Sequence, residues 1–392
     1  MARRQASSER TAGLERLFAA KEIVIHCGSG GVGKTTTAAA AAALAATHLG
    51  GKVLVLTVDP AKRLANALGI ERFGNVETRV PPEAFAEAGV EPRGELWAAM
   101  LDTKQSWDDL IRRHAPDAKT RDAILANPLY QNLMGRFVQS HDYIAMERLY
   151  DLHASGDYDL IVVDTPPTRN AIDFLEAPAR MADFFSSRLL RWLTAPARSR
   201  VVNFASKPFY TVADRILGTQ FLQDIAEFFL LMQGMYDGFV ERAEAVEKLL
   251  LDKRTTFIVV STLEAAPVRE AEFFIEELRN RRLHLGAVVL NKVLPSFLLD
   301  TEATTVARRL EDQSPTIAPK IAATVDAHEE QVARVLHEVG TSFLNFQVVA
   351  QREAETRAEL AAAPDVVVAV PYFDTDIYDL SGLVRLGRTI WR

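Results

Sequence analysis

A glycine-rich stretch between an apolar run and an alanine-rich segment constrains the fold of this chain more than any other feature. Residues 28–36 read Gly-Ser-Gly-Gly-Val-Gly-Lys-Thr-Thr and match G-x-x-x-x-G-K-[ST] at every fixed position. The apolar run at 22–26 predicts a buried strand, and residues 36–47 predict a helix. A strand, a glycine loop and a helix in this order aim backbone N–H groups and a helix N-terminus at an anion. The stretch therefore predicts a phosphate-binding loop.

Two kinds of residue in this loop have specific uses at a phosphate. Glycine lets the backbone bend tightly and approach an anion without a Cβ in the way. Lys34 is predicted to reach the β- and γ-phosphates, and the Thr35 hydroxyl is predicted to ligate Mg²⁺. The loop thus predicts binding and hydrolysis of a nucleoside triphosphate.

Further apolar runs predict a doubly wound, mostly parallel sheet. Their continuous hydrophobicity indicates strands that are covered on both faces. These runs lie at residues 52–58, 96–101, 158–164, 256–260, 286–291 and 366–370. Helical stretches are predicted at about 103–155 with a break near 127–128, at 267–282, at about 298–363 and after 381. Strands that alternate with helices are typical of the α/β class.

The chain is predicted to form one nucleotide-binding domain with a helical insertion. Residues 1–20 form an arm, 21–175 and 253–392 form the domain, and 176–252 form the insertion. The insertion is rich in large apolar side chains, which either close the core of a helical subdomain or line a groove for an apolar helix. They include Phe184, Phe185, Leu189, Leu190, Trp192, Leu193, Phe221, Leu222, Phe228, Phe229, Met232, Met235 and Phe239.

Composition excludes several classes of protein. The net charge of −7 argues against general nucleic-acid binding, which needs a basic surface. A single cysteine, Cys27, excludes an intrachain disulfide, and we interpret Cys27 and the neighbouring His26 as packing residues. The sequence has neither the apolar core of a signal peptide nor an apolar run of roughly 18 residues, so we expect a cytoplasmic protein.

Two aspartates end apolar strands, where a parallel sheet places its ligands. Asp164 is followed by Thr-Pro-Pro and is predicted to hold Mg²⁺ through its water shell, in the manner of a Walker B aspartate. Asp59 ends the run at 52–58. Position alone leaves two roles open for Asp59, a turn residue or a carboxylate that orients the water attacking the γ-phosphate.

Together these motifs resemble the ArsA-type ATPases. The resemblance rests on the loop at 28–36, Asp-Pro-Ala-Lys-Arg-Leu at 59–64, Asp-Thr-Pro-Pro-Thr at 164–168 and Asn291-Lys292, in matching order over about residues 21–390. The family includes the arsenite-pump ATPase and the eukaryotic factor that delivers tail-anchored membrane proteins, and it belongs to the wider group with ParA and MinD. The sequence is also similar to the actinobacterial-type branch labelled anion-transporting ATPase.

The resemblance implies a P-loop NTPase fold, ATP and Mg²⁺ as cofactors, and a dimer. It implies that Asp59 is a switch residue that positions the hydrolytic water. It also implies that Asn291 reads adenine and that Pro371 lies in the loop lining the base. The implied catalytic residues are Lys34, Asp59 and Asp164, and the implied metal ligands are Thr35 and Asp164. The implied nucleotide-binding residues are Gly28, Ser29, Gly30, Gly31, Val32, Gly33, Lys34, Thr35, Thr36, Asn291 and Pro371.

The sequence also departs from the family pattern. The family carries a lysine at the second position of the loop, which reaches across the dimer to the partner's nucleotide, and this chain has Ser29 there. The cysteines of arsenite pumps and the zinc-binding C-x-x-C of the targeting factor are missing, which argues against arsenite as a trigger. Lys62-Arg63 replaces the family's usual pair in the Asp59 motif.

The leading hypothesis is therefore an ATP-dependent dimeric switch that handles a hydrophobic client or a membrane partner. The chain is expected to form a homodimer, which should hydrolyse ATP slowly, or a heterodimer with a paralogue that keeps the lysine. One alternative is the ATPase subunit of an anion-efflux system. Another is a nucleotide-binding regulatory subunit with little hydrolysis. Partitioning of DNA or septum sites fits least, because no basic DNA face or terminal amphipathic membrane helix is predicted.

Overall fold

An eight-stranded sheet forms the centre of the chain. It is seen in a computed structural model that describes residues 13–58, 62–70, 74–133, 138–188, 219–360 and 364–391. The strands are β1 (Ile23–Cys27), β2 (Lys52–Thr57), β3 (Thr78–Arg79), β4 (Glu95–Met100), β5 (Leu160–Asp164), β6 (Thr255–Ser261), β7 (Leu285–Val293) and β8 (Val366–Pro371). Their order is β3-β4-β2-β5-β1-β6-β7-β8, and every neighbouring pair except β3–β4 is parallel. The predicted doubly wound, mostly parallel sheet is confirmed.

Helices cover both faces of the sheet. The first is α1, at residues 13–19. The others are α2 (Lys34–His48), α3 (Lys62–Ala67), α4 (Pro82–Glu87), α5 (Thr103–His114), α6 (Ala118–Ala126), α7 (Pro128–Leu133), α8 (Val138–Ser155), α9 (Thr168–Ser186), α10 (Thr219–Met232), α11 (Tyr236–Leu251), α12 (Ala265–Asn280), α13 (Thr301–Val325), α14 (Glu329–Leu360) and α15 (Leu380–Trp391). In the described chain, no helix is long and apolar enough to cross a membrane.

Successive residues of each strand pack into two separate hydrophobic cores, one on each face of the sheet. Ile25 and Val163 belong to the core under α5, α8, α11 and α12, while Val24 and Val162 belong to the core under α2 and α15. Side chains alternate between the two faces of a strand, so continuous apolar runs fill both cores. Alanine dominates α2 because the helix lies deep between the sheet and α15. A Cβ added at Gly387 of α15 would lie 2.0 Å from Leu44 Cδ2 of α2.

Two helical predictions were wrong in detail. The stretch predicted at 103–155 with one break near 127–128 has a further break at 115–117, because Asp117 caps the N-terminus of a new helix, α6. The stretch predicted at 298–363 is a hairpin of α13 and α14. Asp326 ends α13 in the left-handed conformation (φ 51°), which terminates a helix.

The described apolar side chains of the insertion lie mainly in the core. The core that contains Ile25 and Val163 also buries Phe228, Met232, Met235 and Phe239. Phe185 stacks on Phe239, with ring centroids 4.6 Å apart. For these side chains the structure supports the core interpretation rather than the groove. Several others lie outside the described residues or side chains, namely Leu189, Leu190, Trp192, Leu193, Phe221 and Leu222. The domain boundaries at 175–176 and 252–253 stay a prediction.

A buried ion pair ties the insertion to the rest of the domain. Arg242 of α11 pairs with Glu147 of α8, and Tyr143 donates its hydroxyl to the second Glu147 oxygen at 3.0 Å. Burial raises the pKa of Glu147, and the neighbouring Arg242 opposes that rise. The pair fixes α11 against α8 at the layer below the sheet.

Candidate nucleotide site

The loop between β1 and α2 owes its shape to its glycines. Gly28, Gly31 and Gly33 have positive φ values of 154°, 79° and 97°. A Cβ on Gly28 would lie 2.1 Å from the Val260 carbonyl oxygen, and one on Gly33 would lie 2.4 Å from Asn291 Nδ2. These positions need glycine for both backbone conformation and space.

The loop and the start of α2 suit an anion. Among the described residues, no side chain caps the N-terminus of α2, and its first turn holds no acidic residue. Backbone N–H groups there have no intrahelical partner, and the helix dipole favours negative charge. A Cβ added at Gly30 or Gly31 would meet no described atom within 4 Å, so the loop borders open space. The residues present therefore fit a bound phosphate chain.

Lys34 is held across this loop. Its side chain is buried, and Nζ donates to the Ser29 carbonyl oxygen at 3.0 Å. The ammonium group therefore lies inside the curve of the loop, on the side where phosphates would be bound.

Asp164 joins the loop to the sheet. It ends β5 and lies in register with His26 of β1 and Thr57 of β2. Its Oδ2 accepts a hydrogen bond from Thr35 Oγ1 at 2.5 Å and another from Thr57 Oγ1 at 3.0 Å. Carboxylate and hydroxyl oxygens are the ligands that Mg²⁺ prefers, so the donor set fits this cation.

Two threonines of this cluster were missed by the sequence analysis. Thr57 donates to Asp164, and Thr165 Oγ1 donates to the His26 carbonyl oxygen at 2.8 Å, which fastens the end of β5 to β1. The available signal was a hydroxyl residue at or next to the end of a continuous apolar strand. Assigning Thr57 to Asp164 also required the register of β2 against β5.

Asn291, in β7, contacts the loop at residues 28–36. Its Nδ2 donates to the Val32 carbonyl oxygen at 2.8 Å, and its Oδ1 accepts from the Lys292 N–H at 3.0 Å. Pro371 ends β8 opposite Val293, two residues beyond Asn291. The structure therefore brings Asn291 to the loop and Pro371 to the neighbouring strand end. Their contacts with adenine stay a prediction.

Asp59 lies outside the described residues. The last described residue before it is Val58, whose N–H donates to the Asp164 carbonyl oxygen at 3.1 Å. Lys62 and Arg63 begin α3, but their side chains are not among those described. The role of Asp59 therefore stays a prediction.

The Ser29 side chain is buried within its own chain. It is only 8% exposed, and its hydroxyl has no hydrogen-bond partner in the described part of the chain. A short buried side chain supplies no charge beyond the loop, unlike the lysine that the resemblance implies for this position.

His26 and Cys27 are buried beneath the loop. Burial lowers the pKa of His26 to about 3 and raises the pKa of the Cys27 thiol to about 12. Both groups are therefore neutral at pH 7, and a protonated thiol is a poor metal ligand. Within the described residues, no group of three His, Cys, Asp or Glu side chains is placed to hold a metal ion.

A phosphate-binding loop at the carboxyl edge of a doubly wound sheet, beside an aspartate and a threonine, defines the class of P-loop nucleotide-binding proteins. Residues 21–329 match the model of a family described as anion-transporting ATPase, and the chain belongs to this ArsA-type ATPase family.

Named relatives agree with this assignment. An "ATPase ASNA1 homolog" from Entamoeba dispar is 27% identical over 68% of this chain and 75% of its own length. An "ATPase GET3" from Malassezia globosa is 26% identical over 69% of this chain and 72% of its own. The "ATPase GET3A" of Arabidopsis thaliana is 25% identical over 68% of this chain and 65% of its own.

Proposed function

We propose that the chain is an ATP-dependent dimeric switch ATPase that handles a hydrophobic client or a membrane partner. The observation that carries the proposal is the cluster at Asp164, where Oδ2 accepts from Thr35 of the loop and Thr57 of β2. This cluster links the proposed Mg²⁺ site directly to two neighbouring strands. A change in the bound nucleotide would therefore be transmitted to the sheet through these hydrogen bonds.

Each residue of the site has a proposed task. The loop N–H groups of residues 28–36 and the Lys34 ammonium bind the phosphates, and Thr35 and Asp164 hold the metal directly or through water. When bound, Mg²⁺ neutralises charge on the β- and γ-phosphates. Asp59 orients the water. Asn291 holds the loop through Val32 and, with Pro371, lies where an adenine is proposed to bind.

Ser29 decides which dimer is expected. A positive charge supplied in trans to a phosphoryl-transfer site can raise the rate by about 10³–10⁵. The short, buried Ser29 side chain supplies none, so a homodimer is expected to turn over slowly. A heterodimer with a lysine-bearing paralogue would contain one complete site, made from the loop of this chain and the lysine of the partner.

The client surface is proposed to lie on the insertion. Phe184 of α9 is 40% exposed and contacts Phe229 of α10 with ring centroids 5.8 Å apart. A cavity of about 680 Å³ is lined by Leu230, Leu231 and Pro116 and also by polar side chains, among them Glu227 and Asp237. Phe229 and Leu231 also pack against the core, so the proposed client surface consists of the exposed part of Phe184 and the apolar part of this lining.

Two alternatives remain. The family description, anion-transporting ATPase, supports an ATPase subunit of an anion-efflux system, although a single protonated cysteine offers no thiolate for arsenite. A regulatory subunit with little hydrolysis is supported by Ser29. The three hypotheses differ in what changes the rate of ATP hydrolysis. The switch should respond to a hydrophobic client, the efflux subunit to an anion, and the regulatory subunit to neither.

Sedimentation with ADP and with a non-hydrolysable ATP analogue tests the switch. The proposal predicts larger species with the analogue than with ADP, and no shift in Lys34→Ala. Lys52→Ala is the matched control, because Lys52 is exposed at the opposite end of β2. Identical sedimentation in both nucleotides would contradict the proposal.

A further inference from the structure

The outer face of α14 carries a stripe of apolar side chains. Val335, Val339, Phe346 and Val349 are between 45% and 54% exposed, and the exposed Ser342 lies among them. Their spacing of four, three, four and three residues keeps all five on one line of the helix. Much of this helix lies beyond the family match, which ends at residue 329.

The stripe is separate from the face by which α14 packs on α13. That inner face buries Val332, Gly340 and Ala350. A Cβ on Gly340 would lie 2.6 Å from the Ala307 carbonyl oxygen, so α13 and α14 approach closely there. A helix with one apolar face in the hairpin and a second facing outward can pack against another element.

Two exposed residues of opposite charge lie beside the stripe. Glu338 and Arg352 lie on its same side and are exposed. Neither forms an ion pair within the part of the chain that the structure describes. They are 14 positions apart on the helix, which corresponds to about 21 Å.

We propose that the stripe binds the same stripe of a second copy of this chain, in an antiparallel helix pair. With the two-fold axis near Leu344 and Asn345, Phe346 packs over the small Ser342 of the second copy, and Val339 packs over its Val349. The same register places Glu338 level with position 350 of the second copy, about 3 Å along the helix from Arg352, which these two long side chains can span. Each contact occurs twice because a two-fold contact is reciprocal.

The parallel arrangement does not match these side chains. It would place Phe346 beside its own copy and Ser342 beside its own copy, which leaves one layer crowded and another empty. Glu338 and Arg352 would lie about 21 Å apart in such a pair and could not meet. Size and charge therefore both select the antiparallel pair.

The contact is short, so its affinity is limited. A stripe of about 21 Å on one helix buries less than the roughly 1,200 Å² typical of stable interfaces. We expect dimers at micromolar concentration that separate on dilution, without any nucleotide. This independence from nucleotide distinguishes the contact from the dimer of the proposed switch.

Site-directed cross-linking tests the geometry. Asn345→Cys places a thiol close to its own copy across the two-fold axis, and a short bifunctional maleimide should join the two chains in nucleotide-free protein. The background is low because the native Cys27 is buried. Glu355→Cys is the matched control, because it is exposed on the opposite side of the same helix and should not be cross-linked although the stripe is intact. Equal cross-linking of both variants, or of neither, would overturn the proposal.

A charge exchange tests the register. Glu338→Arg faces Arg352 of the second copy with a like charge and should weaken the dimer about tenfold or more in sedimentation equilibrium. Glu338→Arg with Arg352→Glu should restore it. Both residues are exposed, so the fold should be retained, and ATP binding at Lys34 should be unchanged. A double variant as weak as the single one would contradict the antiparallel register.

Discussion

Single residues at the carboxyl edge of the sheet determine what the site can do. Asp164 accepts hydrogen bonds from Thr35 and Thr57, while Thr165 fastens the same strand end to His26. The carboxylate is buried, so its position is fixed by these neighbours rather than by solvent. A carboxylate held in this way keeps its position whether or not a cation is bound.

Asp164→Asn should weaken the response to Mg²⁺. The amide keeps the shape of the side chain but removes its negative charge, and the loss of a group that holds a metal through its bound water typically costs about 10–100-fold in metal affinity. Titrating Mg²⁺ in an ATP-binding assay measures the effect. Asp159→Asn is the control, because Asp159 lies at the opposite end of β5 and accepts from the Lys52 N–H at 2.7 Å. An unchanged Mg²⁺ midpoint in Asp164→Asn would remove Asp164 from the proposed metal site.

His26 should make stability fall as the pH falls. Burial lowers its folded pKa to about 3, whereas an unfolded histidine titrates near 6.5. Below about pH 6.5 the unfolded chain takes up a proton that the folded chain excludes, so this residue costs about 1.4 kcal/mol per pH unit down towards its folded pKa.

Urea unfolding at pH 7, 6 and 5 measures this dependence. In His26→Leu the free energy of unfolding should fall less steeply with decreasing pH than in the wild type. His48→Gln replaces an exposed histidine and should leave the slope as it is. Parallel slopes for wild type and His26→Leu would show that His26 is not kept neutral by burial.

Secondary-structure elements were predicted well where the sequence carries a local signal. The loop at 28–36 and the strands beside it follow from glycines and continuous apolar runs. Strand β3 was missed because Thr78–Arg79 is only two residues long and depends on its antiparallel neighbour β4. The hairpin turn at Asp326 was missed because its left-handed conformation is not marked by a glycine.

Contacts between elements could not be predicted from the sequence. The bond from Thr57 to Asp164 depends on the register of two strands that lie more than 100 residues apart along the chain. The burial of Phe228 and Phe239 depends on how the insertion packs beneath the sheet. A helical pattern with apolar residues on several sides is compatible with a core or with an exposed groove, and only packing decides between them.

The ion pair between α8 and α11 should be coupled energetically. Arg242→Met leaves Glu147 buried without its partner and should cost about 3–5 kcal/mol of unfolding free energy. Adding Glu147→Gln keeps an acceptor for Tyr143 and should recover part of that cost. Urea unfolding of both single variants and the double variant measures the coupling. Costs that add to within about 0.5 kcal/mol would show that the two side chains act independently.

At the scale of the whole molecule, the proposed site lacks the charge that the family resemblance implies is supplied in trans, because position 29 is a serine. Ser29→Lys should restore that charge in a homodimer and raise ATP turnover, by as much as about 10³-fold if the family arrangement applies. Steady-state ATP hydrolysis measures the change, at protein concentrations high enough for the ATP-bound switch dimer to form. Ser29→Ala is the control and should behave like the wild type. A Ser29→Lys rate equal to that of Ser29→Ala would contradict a lysine-dependent dimer.

Hydrolysis of γ-labelled ATP by the purified chain tests the central claim, that the loop at 28–36 is an ATPase site. Wild type and the exposed-lysine control Lys52→Ala should release labelled phosphate slowly and only with Mg²⁺, while Lys34→Ala should remain at background. Phosphate release by Lys34→Ala at the wild-type rate, or release that continues after Mg²⁺ is chelated, would contradict the claim.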